Sequence, residues 1–233
     1  MLTNEQLSEL AQFDSPTICN AIECFGIRSR IEGFMDPSIK SIFTFEKPFI
    51  GYASTAKFST VAPPAKPKSI EGYYRHIQAM QRPSISVIQD IDPTPMGALW
   101  GEVNVTIHMA LGSIATVTNG GVRDTREVRP MGFGYFASDI MVSHGYIHME
   151  DYGCPVEVGG VTVNPGDLLF CDSQGVVTIP EEIAPYLAEK CRSISLAEFP
   201  VLEGLRRAKF SGKEVDVSEL MTWVAKMQEL RQK

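Results

Sequence analysis

Two adjacent residues in the segment Gly97–Phe133 have side chains suited to chemistry: Arg123 and Asp124 follow an apolar strand and a Gly-Gly pair that predicts a turn. A guanidinium can grip a carboxylate or an α-keto oxygen through two parallel hydrogen bonds and stabilise negative charge there. A carboxylate is a hard oxygen ligand for a Mg²⁺ or Mn²⁺ ion that keeps several waters. The pair predicts a site that holds a small anion and a divalent cation.

A predicted helix supplies a third component. Apolar residues recur at helical spacing over Glu102–Leu111, so the backbone around Leu99, Trp100 and Gly101 precedes a helix N-terminus. Unpaired N–H groups and the positive end of the helix dipole favour a bound carboxylate or phosphate at such a place. We therefore expect these three residues to bind the substrate.

The three components together describe a site for a 2-oxo acid. A divalent cation can chelate the carboxylate and the neighbouring carbonyl of such a substrate, while Arg123 holds the enolate oxygen. Carbon–carbon cleavage next to pyruvate needs this stabilisation.

Structural explanations of the same residues remain open at this point. Arg123 and Asp124 are also typical of a surface salt bridge, or of a helix N-cap in which Asp124 caps the segment Thr125–Arg129. Glu102 is favoured in a first helical turn by the dipole alone, without any catalytic role.

The surrounding pattern predicts the elements that position these residues. The order loop, helix, strand, turn over Trp100–Asp124 is half of a layered α/β unit. Further along, three apolar segments separated by Gly-Gly, Asn-Pro-Gly-Asp and Asp-Ser-Gln-Gly turns predict hairpins, so the sheet is expected to be mixed. The predicted strands are 48–61, 84–89, 114–118 and the three segments YFASDIMV, CPVEVGGVTV and DLLFCDSQGVVTIP; the predicted helices are 2–10, 15–24, 70–80, 181–207 and 217–232.

Composition excludes several classes of protein. The formal net charge of −7 argues against a surface that neutralises nucleic-acid phosphates. No apolar run approaches the ~18 residues that a membrane span requires. The first sixteen residues lack the order of a signal peptide, and the five cysteines show neither zinc-site nor disulfide spacing, so we expect buried thiols in a cytoplasmic protein.

A second metal site is conceivable at HGYIHMED, where His144 and His148 lie four residues apart. In one strand these residues would be ~13 Å apart, too far to share an ion. A polar loop or strand edge is the favoured interpretation.

The site motif resembles that of a known family. Glu102, twenty residues, and then Arg123-Asp124 is similar to the D-x20-R-D motif of the class II pyruvate aldolases that act on 4-hydroxy-4-methyl-2-oxoglutarate and 4-carboxy-4-hydroxy-2-oxoadipate, and of the related RraA-like proteins. FIGYASTA, NGGVRDTREVRPMGFGYFA and the hairpin segment up to Pro180 extend the resemblance over most of residues 15–210. In this chain a glutamate replaces the first aspartate of the motif.

The resemblance implies roles for individual residues. Asp124 would be the direct ligand of Mg²⁺ or Mn²⁺, Glu102 would act through metal-bound water, and Arg123 would contact pyruvate and its enolate. Glu198 or Glu203 from a neighbouring subunit would complete the site.

The resemblance also implies a fold and an activity. The expected fold is a single-domain αββα sandwich with mixed sheets, related to the swivelling β/β/α fold, with a core over about 15–210 and a helical extension over about 211–233. We expect homotrimers or hexamers that cleave a 4-hydroxy-2-oxo di- or tricarboxylic acid to pyruvate, with oxaloacetate decarboxylation as a side reaction. The alternatives are a non-catalytic RraA-like protein that binds and regulates a ribonuclease or another partner, and a related enzyme with another small substrate.

Overall fold

The computed structural model describes residues 1–66, 68–212 and 214–231. The chain divides into two compact units. One unit comprises Ile31–Glu181, and the other comprises Met1–Arg30 together with the residues from Glu182 onward. The single domain expected over residues 1–233 stays a prediction.

The unit Ile31–Glu181 is built on a nine-stranded mixed sheet. Four strand pairs in its centre are parallel, and the pairs toward its edges are antiparallel. The strands of the unit are β1 (Lys40–Ser41), β2 (Phe49–Ser59), β3 (Ser84–Asp90), β4 (Ala98–Trp100), β5 (Ser113–Val122), β6 (Gly134–Ile140), β7 (His148–Tyr152), β8 (Val156–Val158), β9 (Val161–Val163), β10 (Leu168–Asp172) and β11 (Gly175–Ile179); its helices are α3 (Ile70–Ala79), α4 (Glu102–Ala110) and α5 (Thr125–Val128).

The main sheet runs in the order β1-β6-β5-β3-β2-β10-β11, with β4 paired to β5 and β7 paired to β2. The parallel neighbours β2, β3 and β5 are joined by crossovers that contain α3 and α4, as parallel pairing requires. The predicted hairpins occur as β8–β9 and β10–β11. In contrast, β6 pairs with β5 in parallel, because the short helix α5 returns the chain across the sheet.

Both faces of the sheet are covered. Alternate residues of β3 point to opposite sides: Ile85 and Val87 pack in a cluster with the β8–β9 hairpin, whereas Ile88 packs with Tyr73 of α3 and Val105 of α4. The near-continuous burial of β3 follows from this double cover. The predicted α/β fold class with mixed sheets is confirmed.

The expectation that a Gly-Gly turn precedes Arg123 is wrong. Gly120 and Gly121 lie inside β5, and Gly121 pairs with Ala98 of β4. A Cβ on Gly120 would lie 2.9 Å from Leu99 Cδ1, and a Cβ on Gly121 would lie 2.6 Å from Met141 Cγ. These glycines therefore serve the close approach of neighbouring chain segments rather than a turn.

The second unit is helical. Asp14 accepts a hydrogen bond from the Thr17 N–H at 3.0 Å and caps the second helix, which has Pro16 in its first turn. The helices are α1 (Asn4–Leu10), α2 (Ser15–Glu23), α6 (Ala184–Ser211) and α7 (Val217–Arg231). They match the predicted ranges closely, although Gln232 lies outside the described residues.

Two expectations about the whole chain can be compared with the structure. Within the described ranges, none of the helices has both the length and the apolar character that spanning a bilayer would take. The five cysteines are free thiols, but only Cys171 and Cys191 are buried and Cys24 is exposed. The expectation that all five are buried is wrong, because α2 presents Cys24 at its exposed C-terminal end.

Candidate active site

The candidate site is formed where two neighbouring parallel strands end. Trp100, the last residue of β4, pairs with Val122, the last residue of β5. Because β4 and β5 run in the same direction, the start of α4 and the residues after β5 meet at one edge of the sheet. This arrangement brings Gly101 next to Arg123 and Asp124, which the sequence predicts to act together.

Asp124 adopts an unusual backbone conformation. Its φ of 54° and ψ of 36° lie in the left-handed region, and it is the one non-glycine residue with positive φ in the described part of the chain. Aspartate tolerates this region better than most residues, but at some cost in conformational energy. Such outliers concentrate at functional sites.

The Asp124 side chain caps a helix other than its own. It makes no capping hydrogen bond to α5, which it precedes. Its Oδ2 instead accepts a hydrogen bond from the backbone N–H of Glu102 at 2.9 Å, the first residue of α4. The interpretation of Asp124 as a side-chain cap for the Thr125–Arg129 segment is therefore wrong, because the left-handed backbone turns the carboxylate toward α4.

Gly101 makes this contact possible. A Cβ at Gly101 would collide with Asp124 Oδ2 and lie 3.1 Å from Arg123 Nε. The glycine backbone is extended, with φ of −146°, so space rather than conformational freedom requires glycine here. The carboxylate and the guanidinium both occupy room that a side chain would fill.

Arg123 is held mainly through its backbone. Its N–H donates to the Trp100 carbonyl at 2.8 Å, and the Tyr135 hydroxyl donates to its carbonyl at 3.4 Å. The guanidinium Nε lies 3.8 Å from Asp124 Oδ2, too long for a strong pair, and the other described residues offer it no partner. With both side chains more than a third exposed, this contact contributes little to stability. The guanidinium is available for a ligand.

The pKa of the Tyr135 hydroxyl is shifted by burial and by both charged side chains of the site. Burial raises the pKa of the Tyr135 hydroxyl, the nearby Asp124 carboxylate raises it further, and Arg123 opposes the shift. Tyr135 is therefore a neutral hydrogen-bond donor beneath the pair.

Arg123 and Asp124 face one cavity of about 180 Å³. Of the predicted site residues, Leu99 and Gly101 also line it, whereas Trp100 and Glu102 do not. The lining residues are Ala98, Leu99, Gly101, Val103, Asn104, Arg123, Asp124, His144 and Ile147.

The backbone N–H groups that are free to bind an anion belong to α4 itself, and not to the three residues before it that the sequence suggests. Leu99 and Trp100 belong to strand β4 rather than to a loop. The Glu102 N–H is taken by Asp124, and the Val105 N–H bonds the Gly101 carbonyl at 3.0 Å. The N–H groups of Val103 and Asn104, the second and third residues of α4, have no partner among the described residues, and both residues line the cavity.

The remaining predicted residues lie elsewhere. Trp100 is buried, and its ring packs against His108 with centroids 4.4 Å apart. Glu102 is exposed at the start of α4, and its carboxylate has no partner within the described ranges. Glu198 and Glu203 belong to α6 in the other unit, where Glu198 pairs with Arg231 and Glu203 pairs with Arg207.

A protein-only metal cage is absent from the part of the chain that the structure describes: no three His, Cys, Asp or Glu side chains are grouped to hold an ion. Two carboxylates near the cavity are nevertheless available. Asp124 Oδ1 and the Glu102 carboxylate have no partner among the described residues. Mg²⁺ commonly binds through one or two carboxylates while keeping water or substrate ligands, so this donor set fits it.

Two polar residues line the cavity although the sequence does not predict them to belong to this site. Asn104 donates from Nδ2 to the Leu99 carbonyl at 2.8 Å and faces the cavity from α4. His144 lies in the loop between β6 and β7, and its Nδ1 is 2.8 Å from the Gly145 carbonyl oxygen. Only the position of Asn104 three residues into a predicted helix could have indicated its role, since the place of His144 depends on how that loop folds back.

A model of the RraA-like family, described as Aldolase/RraA, matches residues 15–178. This chain belongs to the RraA-like family. The RraA-like chain is 27% identical over 215 residues to protein DlpA of Legionella pneumophila, covering 90% of this chain and 32% of DlpA. It is 23% identical over 137 residues to a putative 4-hydroxy-4-methyl-2-oxoglutarate aldolase of Halalkalibacterium halodurans, covering 53% of this chain and 65% of that protein.

The match thus spans about a third of the length of DlpA and less than two thirds of the putative aldolase. Among solved structures, RraAS2 from Streptomyces coelicolor, described as an unusual member of the RNase ES inhibitor RraA protein family, superposes with a TM-score of 0.66 at 20% identity. That superposition covers 88% of this chain and 97% of RraAS2. It shows that the RraA-like chain shares the fold of that protein.

Proposed function

We propose that this RraA-like protein is a divalent-metal-dependent lyase that cleaves a 4-hydroxy-2-oxo acid between C3 and C4, releasing pyruvate. The observation that carries the proposal is the Asp124 carboxylate, fixed at the N-terminus of α4 with the Arg123 guanidinium in only a long contact beside it, both facing one cavity. The likeness to a putative aldolase supports the same chemistry. The di- or tricarboxylic acids expected from the sequence are one group of substrates within this class, and the substituent on C4 distinguishes them from the others.

The cation would be held by Asp124 directly and by Glu102 through water. Bound there, Mg²⁺ or Mn²⁺ would supply positive charge beside the keto and carboxylate oxygens of the substrate. Because Glu102 is one methylene longer than the aspartate of the family motif, its exposed carboxylate can reach outward without displacing Asp124.

The chain's own groups would bind and orient the pyruvate half of the substrate. The free N–H groups of Val103 and Asn104, at the positive end of α4, suit the substrate carboxylate. The Arg123 guanidinium suits the C2 oxygen, where negative charge develops as the C3–C4 bond breaks. The C4 hydroxyl loses its proton and becomes a carbonyl, and solvent protonates C3.

Assembly is a further part of the proposal. We expect trimers or hexamers in which Glu198 or Glu203 of a neighbouring subunit completes the site. Each of these carboxylates is paired with an arginine of its own unit, so either would have to exchange that partner.

The test is pyruvate release from oxaloacetate, whose decarboxylation passes through the same enolate. We expect turnover with Mg²⁺ or Mn²⁺, loss of turnover with EDTA, and recovery when the cation is restored in excess. Absence of metal-dependent release would contradict the lyase and favour a non-catalytic protein that binds a ribonuclease or another partner, which a pull-down would then identify.

A further inference from the structure

A second cavity lies beside the candidate active site. It has a volume of about 180 Å³ and is bounded by α3, α4 and the start of β7. It shares three lining residues, Leu99, Asn104 and Ile147, with the cavity that Arg123 and Asp124 face. The two cavities are therefore neighbours across these three side chains.

We propose that the second cavity receives the C4 substituent of the substrate and that this substituent is a neutral apolar group, such as a phenyl or branched alkyl group, rather than a second carboxylate. The inference rests on the proposed function, since it assumes that the pyruvate half binds at Arg123. It goes beyond that function by assigning the other half of the substrate.

The walls of the cavity are apolar. Phe58, Ile70, Ile88 and Met149 contribute aliphatic and aromatic surface, and neither lysine nor arginine occurs among the lining residues that the structure describes. A carboxylate placed here would lose its hydration without gaining a cation, which is costly. An apolar group would gain from leaving water.

The polar groups at the base of the cavity are satisfied by one another. The His108 Nδ1 lies 2.7 Å from the Asn104 carbonyl oxygen, which can only accept, so Nδ1 carries the proton. The other ring nitrogen, Nε2, then accepts from the Tyr73 hydroxyl at 2.9 Å. Burial lowers the pKa of His108 to about 4, so the ring is neutral near pH 7 and offers no charge to a ligand.

The other two nitrogen-bearing rings are equally unsuited to an anion. His148 has both ring nitrogens engaged by acceptors, Nδ1 at 2.7 Å from the Tyr146 carbonyl and Nε2 at 2.7 Å from Glu150 Oε1, so a positive charge on this ring is already paired with the Glu150 carboxylate. The indole N–H of Trp100 has no partner among the described residues, but it is fully buried and out of reach of a ligand. The lining therefore provides shape and apolar surface without an unpaired counter-charge.

The size of the cavity matches a small ring. An apolar cavity of about 150 Å³ is enough to hold benzene. A volume of about 180 Å³ therefore accommodates a phenyl group or a branched four- or five-carbon chain.

Two uncleavable analogues separate binding from chemistry. Both 2-oxo-4-phenylbutanoate and 2-oxoglutarate carry the 2-oxo acid half, but one ends in a phenyl group and the other in a carboxylate. In the presence of Mg²⁺, titration calorimetry is expected to show at least tenfold tighter binding of the phenyl compound. Equal binding, tighter binding of 2-oxoglutarate, or binding of neither would overturn the inference, whereas oxaloacetate turnover tests the proposed function separately.

A charge placed at the cavity provides the matched test. Ile70 lines the cavity and is half exposed, so Ile70→Arg is compatible with folding and adds a cation at its edge. We expect the preference for the phenyl analogue to fall at least tenfold in Ile70→Arg. It should be unchanged in Ile31→Arg, which alters an exposed isoleucine outside the lining of either cavity. An unchanged preference in Ile70→Arg would argue against the assigned subsite.

Discussion

The Asp124 carboxylate accepts a hydrogen bond at 2.9 Å from the backbone N–H of Glu102, so a residue after β5 caps the helix that follows β4. This bond joins the ends of two parallel strands and fixes a charge at the positive end of α4. It leaves one carboxylate oxygen free at the cavity. The same bond therefore serves the local fold and positions the group that the proposed cation requires.

Substitution of Arg123 tests the anion-binding role. Arg123→Ala is expected to lower the kcat/KM for oxaloacetate by at least ~10²-fold, the usual loss when one donor to a developing oxyanion is removed. Arg123→Lys should lose less, since it keeps the charge but not the planar fork. Steady-state kinetics would measure both.

The matched control is Arg126→Ala, which removes an exposed arginine of α5 that does not line the cavity. Near-normal turnover in Arg123→Ala, or an equal loss in Arg126→Ala, would contradict the role assigned to Arg123.

Substitution of Gly101 tests the close approach of the carboxylate. The added methyl group of Gly101→Ala would take the place of Asp124 Oδ2. We expect a loss of about 1–3 kcal/mol in the free energy of unfolding, typical of overpacking, together with loss of most metal-dependent turnover. Urea unfolding and the decarboxylation assay measure the two effects.

Met109→Ala on the exposed side of α4 is the control for Gly101→Ala and should retain turnover. If Gly101→Ala were fully active, the position of Asp124 against the helix terminus would not matter for catalysis.

The sequence predicts the regular elements better than it predicts the cavity. Helix α3, strand β3 and helix α4 begin and end within about two residues of expectation, because their apolar periodicity is local information. From the sequence, Gly120 and Gly121 predict a turn, because only the paired strands show why a side chain would not fit there.

The positions of individual side chains depend on tertiary packing. Trp100 precedes a helix as predicted, yet it belongs to a buried strand and contacts His108 instead of the anion-binding cavity. His144 reaches the cavity through a loop that has no periodic signal. Sequence spacing therefore identifies Arg123 and Asp124 as a pair, but not the residues that surround them.

Substitution of Asp124 separates its structural and chemical roles. Asn retains an oxygen that can accept from the Glu102 N–H and tolerates the left-handed backbone, so Asp124→Asn should keep a near-normal melting temperature. Asp124→Ala should lose about 1 kcal/mol or more, because it removes the cap and suits positive φ poorly.

Both variants are expected to lose metal-dependent turnover, since an amide is a poor ligand compared with a carboxylate for Mg²⁺. Thermal unfolding and the oxaloacetate assay would be measured on the same samples. Full activity of Asp124→Asn would show that the negative charge is not needed.

The buried His108 predicts a pH dependence of stability. Burial lowers the pKa of His108 from 6.5 to about 4, so the unfolded chain binds a proton more readily than the folded chain between these values. This histidine therefore destabilises the fold as pH falls from about 6.5 to about 4, by about 3 kcal/mol over the whole window. Burial raises the pKa of Asp90 to about 6, and its protonation favours the folded state over part of the same range.

Because Asp90 and His108 act in opposite directions, the pH profile of the wild-type protein alone does not isolate the histidine. Comparison with His108→Gln does, since the variant keeps Asp90 and loses only the titrating ring. Urea unfolding should show the stability advantage of the wild type over His108→Gln at pH 7 shrinking by about 3 kcal/mol as the pH is lowered toward 4. A constant difference across this range would mean that the pKa of His108 is the same in the folded and the unfolded chain. The burial of a neutral His108 ring beside the apolar cavity would then be contradicted.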